Sequence, residues 1–305
     1  MAAHTRREFV KNSLALSAMI WLPGLTAPAV AAAPAPNKLG LFIFLDSQDP
    51  DRTLRQVTEL GFPTCEIYTE DFRDELAAAL RQAMDRHRIA ITALFTMGPG
   101  LLAWDFYEGP ARNGLVPREW RAQRIARLKQ ASDFAQRCGI PAIETEAGFI
   151  PENPNDPLYK ETIEALRDVI GHCRTNRTTF LYHAGSETAV TMLRVLQDVG
   201  LDNQGVGLDT ANPILYGTGH PCDALEVYGR HVRAVNAKDG LWPTDPRHLG
   251  KETPIGEGKV DFPRLLRKLR ELNYAGPITI ERETSGPEQL EDIKKSKAYL
   301  EGLLK

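Results

Sequence analysis

Several side chains that can hold a metal ion or move a proton stand at the ends of short apolar runs. Asp209 closes Val206-Gly207-Leu208-Asp209, Lys238 and Asp239 close the run that begins at Val232, and Glu281 and Glu283 follow Ile278-Thr279-Ile280. His183 closes Phe180-Leu181-Tyr182-His183, and Glu144 and Glu146 end the run that starts at Ala142. Carboxylate oxygens suit Mn, Mg, Co or Zn, although Asp209 read alone could equally be a turn or helix-capping residue. Strand side chains alternate with period two, so Glu281 and Glu283 share a face, as do Glu144 and Glu146. Two carboxyls at one mouth can act as acid and base if their surroundings separate their pKa values; otherwise they are solvated charges. His183 is suited to ligation or proton transfer near neutrality, or to a structural hydrogen bond. Lys238 could bind a substrate oxygen or pair with Asp239. Glu281 could pair with Arg282 or Lys259.

Chemistry at strand ends needs strands that run in parallel, and the chain is patterned for them. Short apolar runs alternate with longer amphipathic ones. Strand candidates cover 39–45, 64–69, 90–96, 142–145 and 178–183, with further runs ending at Asp209, near Lys238 and at Glu281. Helix candidates cover 51–60, 71–87, 117–137, 158–174, 187–199, 222–228, 262–272 (with Asp261 as N-cap) and 287–303. Eight strand–helix units with no composition break predict an α/β protein, a (β/α)8 TIM barrel over residues 38–305, with its site at the C-terminal ends of the strands. An open doubly wound sheet would call for a Gly-x-Gly-x-x-Gly turn after the first strand, and Phe44-Leu45-Asp46-Ser47-Gln48-Asp49 is not one. Two loops stand out. The loop after the third strand carries Trp104, Phe106 and Tyr107, which could stack on a sugar or form an apolar plug. The loop 254–261 carries Gly256 and Gly258, which would let its backbone approach a ligand.

Residues 1–33 read differently. Arg6-Arg7 precede a modest apolar run and an Ala-rich end, the order of a twin-arginine export signal, so the mature protein is expected in the periplasm or outside the cell. The apolar run is too short and too interrupted for a stable membrane anchor. The whole chain of 305 residues carries a formal charge of −3, and removing three basic side chains and one acidic one with residues 1–33 leaves −5. An acidic chain lacks the footprint for nucleic acid. The cysteines, Cys65, Cys138, Cys173 and Cys222, form no Cys-x-x-Cys pair and are expected to be mostly buried thiols, with one bridge left open.

Four motifs together resemble the xylose isomerase-like TIM-barrel superfamily, in the branch called sugar phosphate isomerase/epimerase. They are Gly207-Leu208-Asp209-Thr210-Ala211-Asn212-Pro213, Val235-Asn236-Ala237-Lys238-Asp239-Gly240, Pro254-Ile255-Gly256-Glu257-Gly258-Lys259-Val260-Asp261-Phe262 and Ile278-Thr279-Ile280-Glu281. The resemblance implies one divalent metal held by Glu, Asp, His and Glu on strands five to eight, the two Glu also moving a proton beside a sugar carbonyl. Asp209 and Glu281 match that set. His183 stands where the family has Glu, Asn236 where it has His, and Glu146 where related chains have His. The resemblance thus implies either a rearranged metal site of Asp209, Glu281, His183 and Glu146, or a barrel that binds carbohydrate without catalysis. In the first case Glu281, His183 and Glu146 are the expected proton carriers. Lys238, Asn236, Asn212, Glu66 and Trp104 are the expected contacts to a small sugar or glycoside. The expected function is an exported sugar isomerase or epimerase, with elimination or hydrolysis of a 3-keto glycoside as the alternative. A homo-oligomer is left open.

Overall fold

The computed structural model describes residues 38–305, so the export signal expected in 1–33 lies outside the described residues. In chain order the elements are β1 (Leu39–Phe44), α1 (Pro50–Glu59), β2 (Thr64–Tyr68), α2 (Asp74–His87), β3 (Ala90–Phe95), α3 (Gly109–Arg112), α4 (Arg118–Cys138), β4 (Ala142–Thr145), α5 (Pro157–Thr175) and β5 (Thr179–Ala184). There follow α6 (Ala189–Val199), β6 (Gln204–Asp209), α7 (Asn212–Leu215), α8 (Pro221–Tyr228), β7 (Val232–Ala237), β8 (Asp239–Leu241), β9 (Lys251–Thr253), α9 (Phe262–Glu271), β10 (Ile278–Ile280) and α10 (Gly286–Leu304). Eight strands close into a parallel barrel in the order β1-β10-β7-β6-β5-β4-β3-β2. This is the expected (β/α)8 architecture, with β10 as its eighth strand. The short antiparallel pair β8–β9, which the sequence pattern did not announce, stands outside it.

Period-two alternation sorts every strand into an outer and an inner set. The outer set, including Leu41, Ile67, Leu94, Ile143, Phe180, Leu208 and Val235, packs with the apolar helix faces in one buried core. Each such side chain contributes about 1.5–3 kcal/mol by leaving water. The inner set divides by height. Near the strand starts it is small and apolar, with Ala93, Ala142, Leu181 and Ala234 forming a separate buried cluster. Near the strand ends it is polar: Glu66, Glu144, His183, Asp209, Asn236 and Glu281 are all buried.

Helix starts follow local chemistry. Asp261 caps α9 by accepting from the Arg264 N–H at 3.0 Å, as expected. Thr188 caps α6, so Glu187 precedes that helix rather than opening it. The four cysteines are free and buried, and burial pushes the Cys138 thiol up to about 12 and those of Cys173 and Cys222 up to about 11. Thiolate is the reactive form, so an aromatic disulfide reagent at pH 8 should leave the native protein unlabelled and titrate four thiols only after unfolding. Rapid labelling of the native protein would contradict this packing. Among the described residues, no helix is long and apolar enough to cross a membrane.

Candidate functional site

The inner polar residues of β4, β5, β6, β7 and β10 meet in one buried cluster. Asp209 is its hinge. Its Oδ1 accepts from the backbone N–H groups of Ala211 and Asn212, both at 2.7 Å, which forms the turn into α7. Its Oδ2 lies 3.3 Å from His183 Nε2 and 3.5 Å from Lys238 Nζ. One oxygen of Asp209 therefore makes the expected turn, and the other faces the cluster. Glu144 Oε1 lies 2.8 Å from His183 Nδ1. This bond fixes the imidazole and turns Nε2 toward Asp209, the arrangement by which a carboxylate orients a metal-ligating histidine. Gly207 on β6 leaves the space for it, because a Cβ there would fall 2.0 Å from Glu144 Oε1.

Glu281 is held through both oxygens. Lys238 Nζ donates to Oε1 at 3.2 Å and Asn236 Nδ2 to Oε2 at 3.3 Å. Asn236 Nδ2 also donates to Glu66 Oε2 at 3.0 Å. Lys238 Nζ further donates to Glu283 Oε1 at 2.6 Å and Asn212 Oδ1 at 3.4 Å. Lys238 is thus a buried cation of the cluster rather than half of a surface pair with Asp239. Asp239 has a separate task. Its carboxylate accepts from the N–H groups of Gly240, Gly256, Gly258 and Val260 at 2.8–3.0 Å and so shapes loop 254–261. A Cβ on Gly258 would fall 2.0 Å from Asp239 Oδ1. The close approach expected of these glycines is therefore made to the chain's own Asp239.

Electrostatics follow from burial and these contacts. Burial pushes the Glu281 carboxyl up to about 7, against the pull of Lys238 and His183. Burial likewise raises Glu146 to about 7. Burial, then the Glu144 charge, pushes Glu66 well above its ordinary value. Burial would lower the His183 imidazole, but Asp209, Glu144 and Glu281 outweigh it and hold it well above the ordinary histidine value. Burial opposes the charge on Asp209 too, and there Lys238 and His183 prevail, holding its carboxyl low.

His183, Asp209 and Glu281 each offer one ligand atom, and these atoms lie within 4.8 Å of one another. One imidazole and two carboxylates form a donor set suited to a divalent cation. Asp209 Oδ2, Glu144 Oε2, Glu66 Oε1 and Asn236 Oδ1 are buried with no hydrogen bond from the protein, a concentration that calls for an explanation. The residues present therefore fit a metal ion.

Above the cluster lies a cavity of about 340 Å³, lined in part by Glu146, His183, Glu281 and Trp104. Glu146 stands apart from the three-residue group and accepts from the Tyr216 hydroxyl at 3.4 Å. Of the residues expected to touch a substrate, Trp104 lines this cavity at the rim, 51% exposed. Glu66, Asn212, Asn236 and Lys238 are buried, turned toward one another and toward the carboxylates. The loop bearing Trp104 is pinned at its root by Glu70, whose Oε1 accepts from Thr96 Oγ1 and from the N–H groups of Met97 and Gly98. Farther along, Phe106 N–H donates to the Arg247 carbonyl at 3.0 Å, and the Arg247 guanidinium sits over the Tyr107 ring at 4.1 Å. The β3 and β8–β9 loops thus support each other at the mouth. Sequence reasoning weighed Glu144 only as the companion of Glu146 and missed its bond to His183. The inward alternation that places both on one face carries the signal for it.

Fold and cluster define a parallel eight-stranded barrel with a metal-competent carboxylate–imidazole centre at the C-terminal mouth. The chain belongs to the xylose isomerase-like TIM-barrel family, whose profile matches residues 54–303. A xylose isomerase domain protein from Planctomyces limnophilus is 32% identical, with a TM-score of 0.82 over 88% of this chain and 98% of that one. The fold recurs in a xylose isomerase-like TIM-barrel protein from Mycobacterium smegmatis, solved in complex with magnesium (19% identity, TM-score 0.64, 85% and 89% covered). It recurs also in 3-keto-D-glucoside 4-epimerase from E. coli (16% identity, TM-score 0.63, 87% and 99% covered). An uncharacterised protein of Methanocaldococcus jannaschii is 30% identical over 120 residues, 38% of this chain. That match spans 37% of the relative's own length.

Proposed function

We propose that this protein is a metal-dependent sugar isomerase or epimerase that moves a proton at the carbon beside a carbonyl, and that it works outside the cytoplasm. The observation that carries the reading is the buried His183–Asp209–Glu281 group with Glu144 on the far nitrogen of the imidazole. Sugar epimerases among the solved structures of this fold agree with it, and the arginine pair at Arg6-Arg7 motivates the location.

His183, Asp209 and Glu281 would hold the ion. A bound divalent cation supplies positive charge for the oxygens on which negative charge develops as the proton leaves. Glu281 takes the proton. Burial works against its charged form while Lys238 and His183 favour it, and a carboxylate within reach of the reacting carbon can serve as general base. Lys238 and Asn236, one on each oxygen, fix its direction. With His183 committed to Asp209 and Glu144, the second proton carrier at the cavity is Glu146, whose carboxyl burial raises to about 7. If the substrate carries a leaving group on the neighbouring carbon, the same abstraction expels it, which is the elimination alternative for a 3-keto glycoside.

Product analysis separates the two. Metal-loaded protein in D2O should introduce deuterium beside the carbonyl of a ketose or 3-keto glycoside with the skeleton intact. Release of the aglycone would assign elimination, and neither product from either substrate class would defeat the proposal.

The role of Glu144 has its own test. In Gly207→Ala the added methyl must displace the end of a flexible carboxylate, so the fold should persist while the imidazole loses its anchor. Loss of such an anchor typically costs 10–100-fold in metal affinity. Calorimetric titration with Mn2+ should show that loss with little change in melting temperature, and unchanged affinity would remove Glu144 from the account.

A further inference from the structure

The proton-transfer chemistry leaves one part of the cavity unused. Its wall opposite in character to the carboxylates is aromatic. Phe42, Phe44, Tyr68 and Phe95 form a closed circuit of ring contacts, with centroids 6.0 Å apart for Phe42–Phe44, 5.7 Å for Phe42–Phe95, 4.9 Å for Phe44–Tyr68 and 5.9 Å for Tyr68–Phe95. Trp104 adds a fifth aromatic side chain to the lining. Two of the five are unusually bare, Phe44 at 65% and Trp104 at 51% exposure. Scattered apolar residues on a surface need no explanation, but contiguous exposed aromatics in a concavity mark a binding surface. The wall is continuous with the reactive cluster, since the Phe95 ring stands edge-on to His183 with centroids 5.0 Å apart. A ligand whose reacting carbon sits at Glu281 therefore extends along the rings.

Charge narrows that ligand further. Glu146, Glu281 and Glu283 line the cavity, against one guanidinium, Arg282, among the described residues. Arg282 is already held by Glu252 and Asp292, each at 3.0 Å. The Lys238 ammonium beneath is held by Glu283, Glu281 and Asp209. Away from the ion, a phosphate or a uronate lying along the rings would meet Glu146 and Glu283, with Arg282 and Lys238 already held by carboxylates.

We propose that this wall is a subsite for the aglycone of an uncharged glycoside, a flat aromatic group joined to a single neutral sugar. The inference rests on the proton-transfer reading only for the placement of the sugar end. The inward positions nearest the mouth on β1, β2 and β3 carry the rings of Phe44, Tyr68 and Phe95.

The test is equilibrium binding to the metal-loaded protein by calorimetry, which needs no turnover. Phenyl glucoside should bind at least about tenfold more tightly than methyl glucoside, as expected for withdrawing one aromatic ring from water, and glucose 6-phosphate should bind most weakly. Phe44→Ala and Trp104→Ala, both at exposed positions, should each reduce the phenyl preference while metal content stays unchanged. Equal affinity for the phenyl and methyl glycosides, tighter binding of the phosphate, or a phenyl preference indifferent to both substitutions would overturn the proposal. A phenyl preference without deuterium exchange would uphold the subsite and count against the proton-transfer reading. Exchange without the preference would do the reverse.

Discussion

Glu281→Gln should abolish solvent-proton exchange into the substrate while leaving the protein folded. Glutamine keeps the shape of the side chain and can still accept from Lys238, but it cannot take a proton. A positioned general base contributes about 10²–10⁴-fold, so exchange should fall by that factor or below detection. The loss should appear in kcat, because Glu281 is buried at the cavity floor and its removal leaves the aromatic wall untouched. Deuterium exchange followed by NMR measures this directly. Retained exchange would take Glu281 out of the mechanism and leave Glu146, at the same cavity and likewise raised by burial to about 7, as the base.

Lys238→Met should produce the largest loss of stability of any single change in the cluster. Lys238 is 1% exposed and stands within 3.5 Å of Asp209 and Glu281, both buried. Methionine fills much of the volume but leaves buried Glu281 without its ammonium and Asp209 with His183 alone. Breaking a buried ion pair from one side costs about 3–5 kcal/mol, which urea denaturation resolves easily. Glu283, exposed on its outer side, loses a partner but keeps its water and adds little. A divalent cation that binds only the folded state stabilises it by mass action, so Mn2+ should restore more stability to the variant than it adds to the unaltered protein. Unchanged stability without metal would mean that the two carboxylates are neutral in the folded state and that Lys238 is not their counter-ion.

The legible part of this architecture was the part written locally. Eight apolar runs, their spacing from amphipathic helices and the polar residue closing each run were enough to place Asp209, His183 and Glu281 at one mouth. Alternation also put Glu144 and Glu146 on one face, but alternation does not report depth. Only the closed barrel shows that Glu144 reaches His183 across 39 positions of sequence, whereas Glu146 remains at the cavity. Lys238 read as an ambiguous surface residue because its three carboxylate partners come from β6 and the end of β10. The aromatic wall was hidden for a different reason. Phe42 and Phe44 sit in a run that looks like ordinary core, and only ring closure turns that face inward. Asp239 and loop 254–261 illustrate the converse, since glycines that suggested a ligand serve the chain's own carboxylate.

Metal-dependent proton transfer is tested by comparing deuterium incorporation from D2O by metal-loaded protein, by the same protein stripped with chelator, and by the stripped protein reloaded with Mn2+. Exchange beside the carbonyl is expected in the first, its loss in the second and its return in the third. Exchange that ignores the metal, or no exchange into any ketose or 3-keto glycoside by fully loaded protein, would contradict metal-dependent transfer.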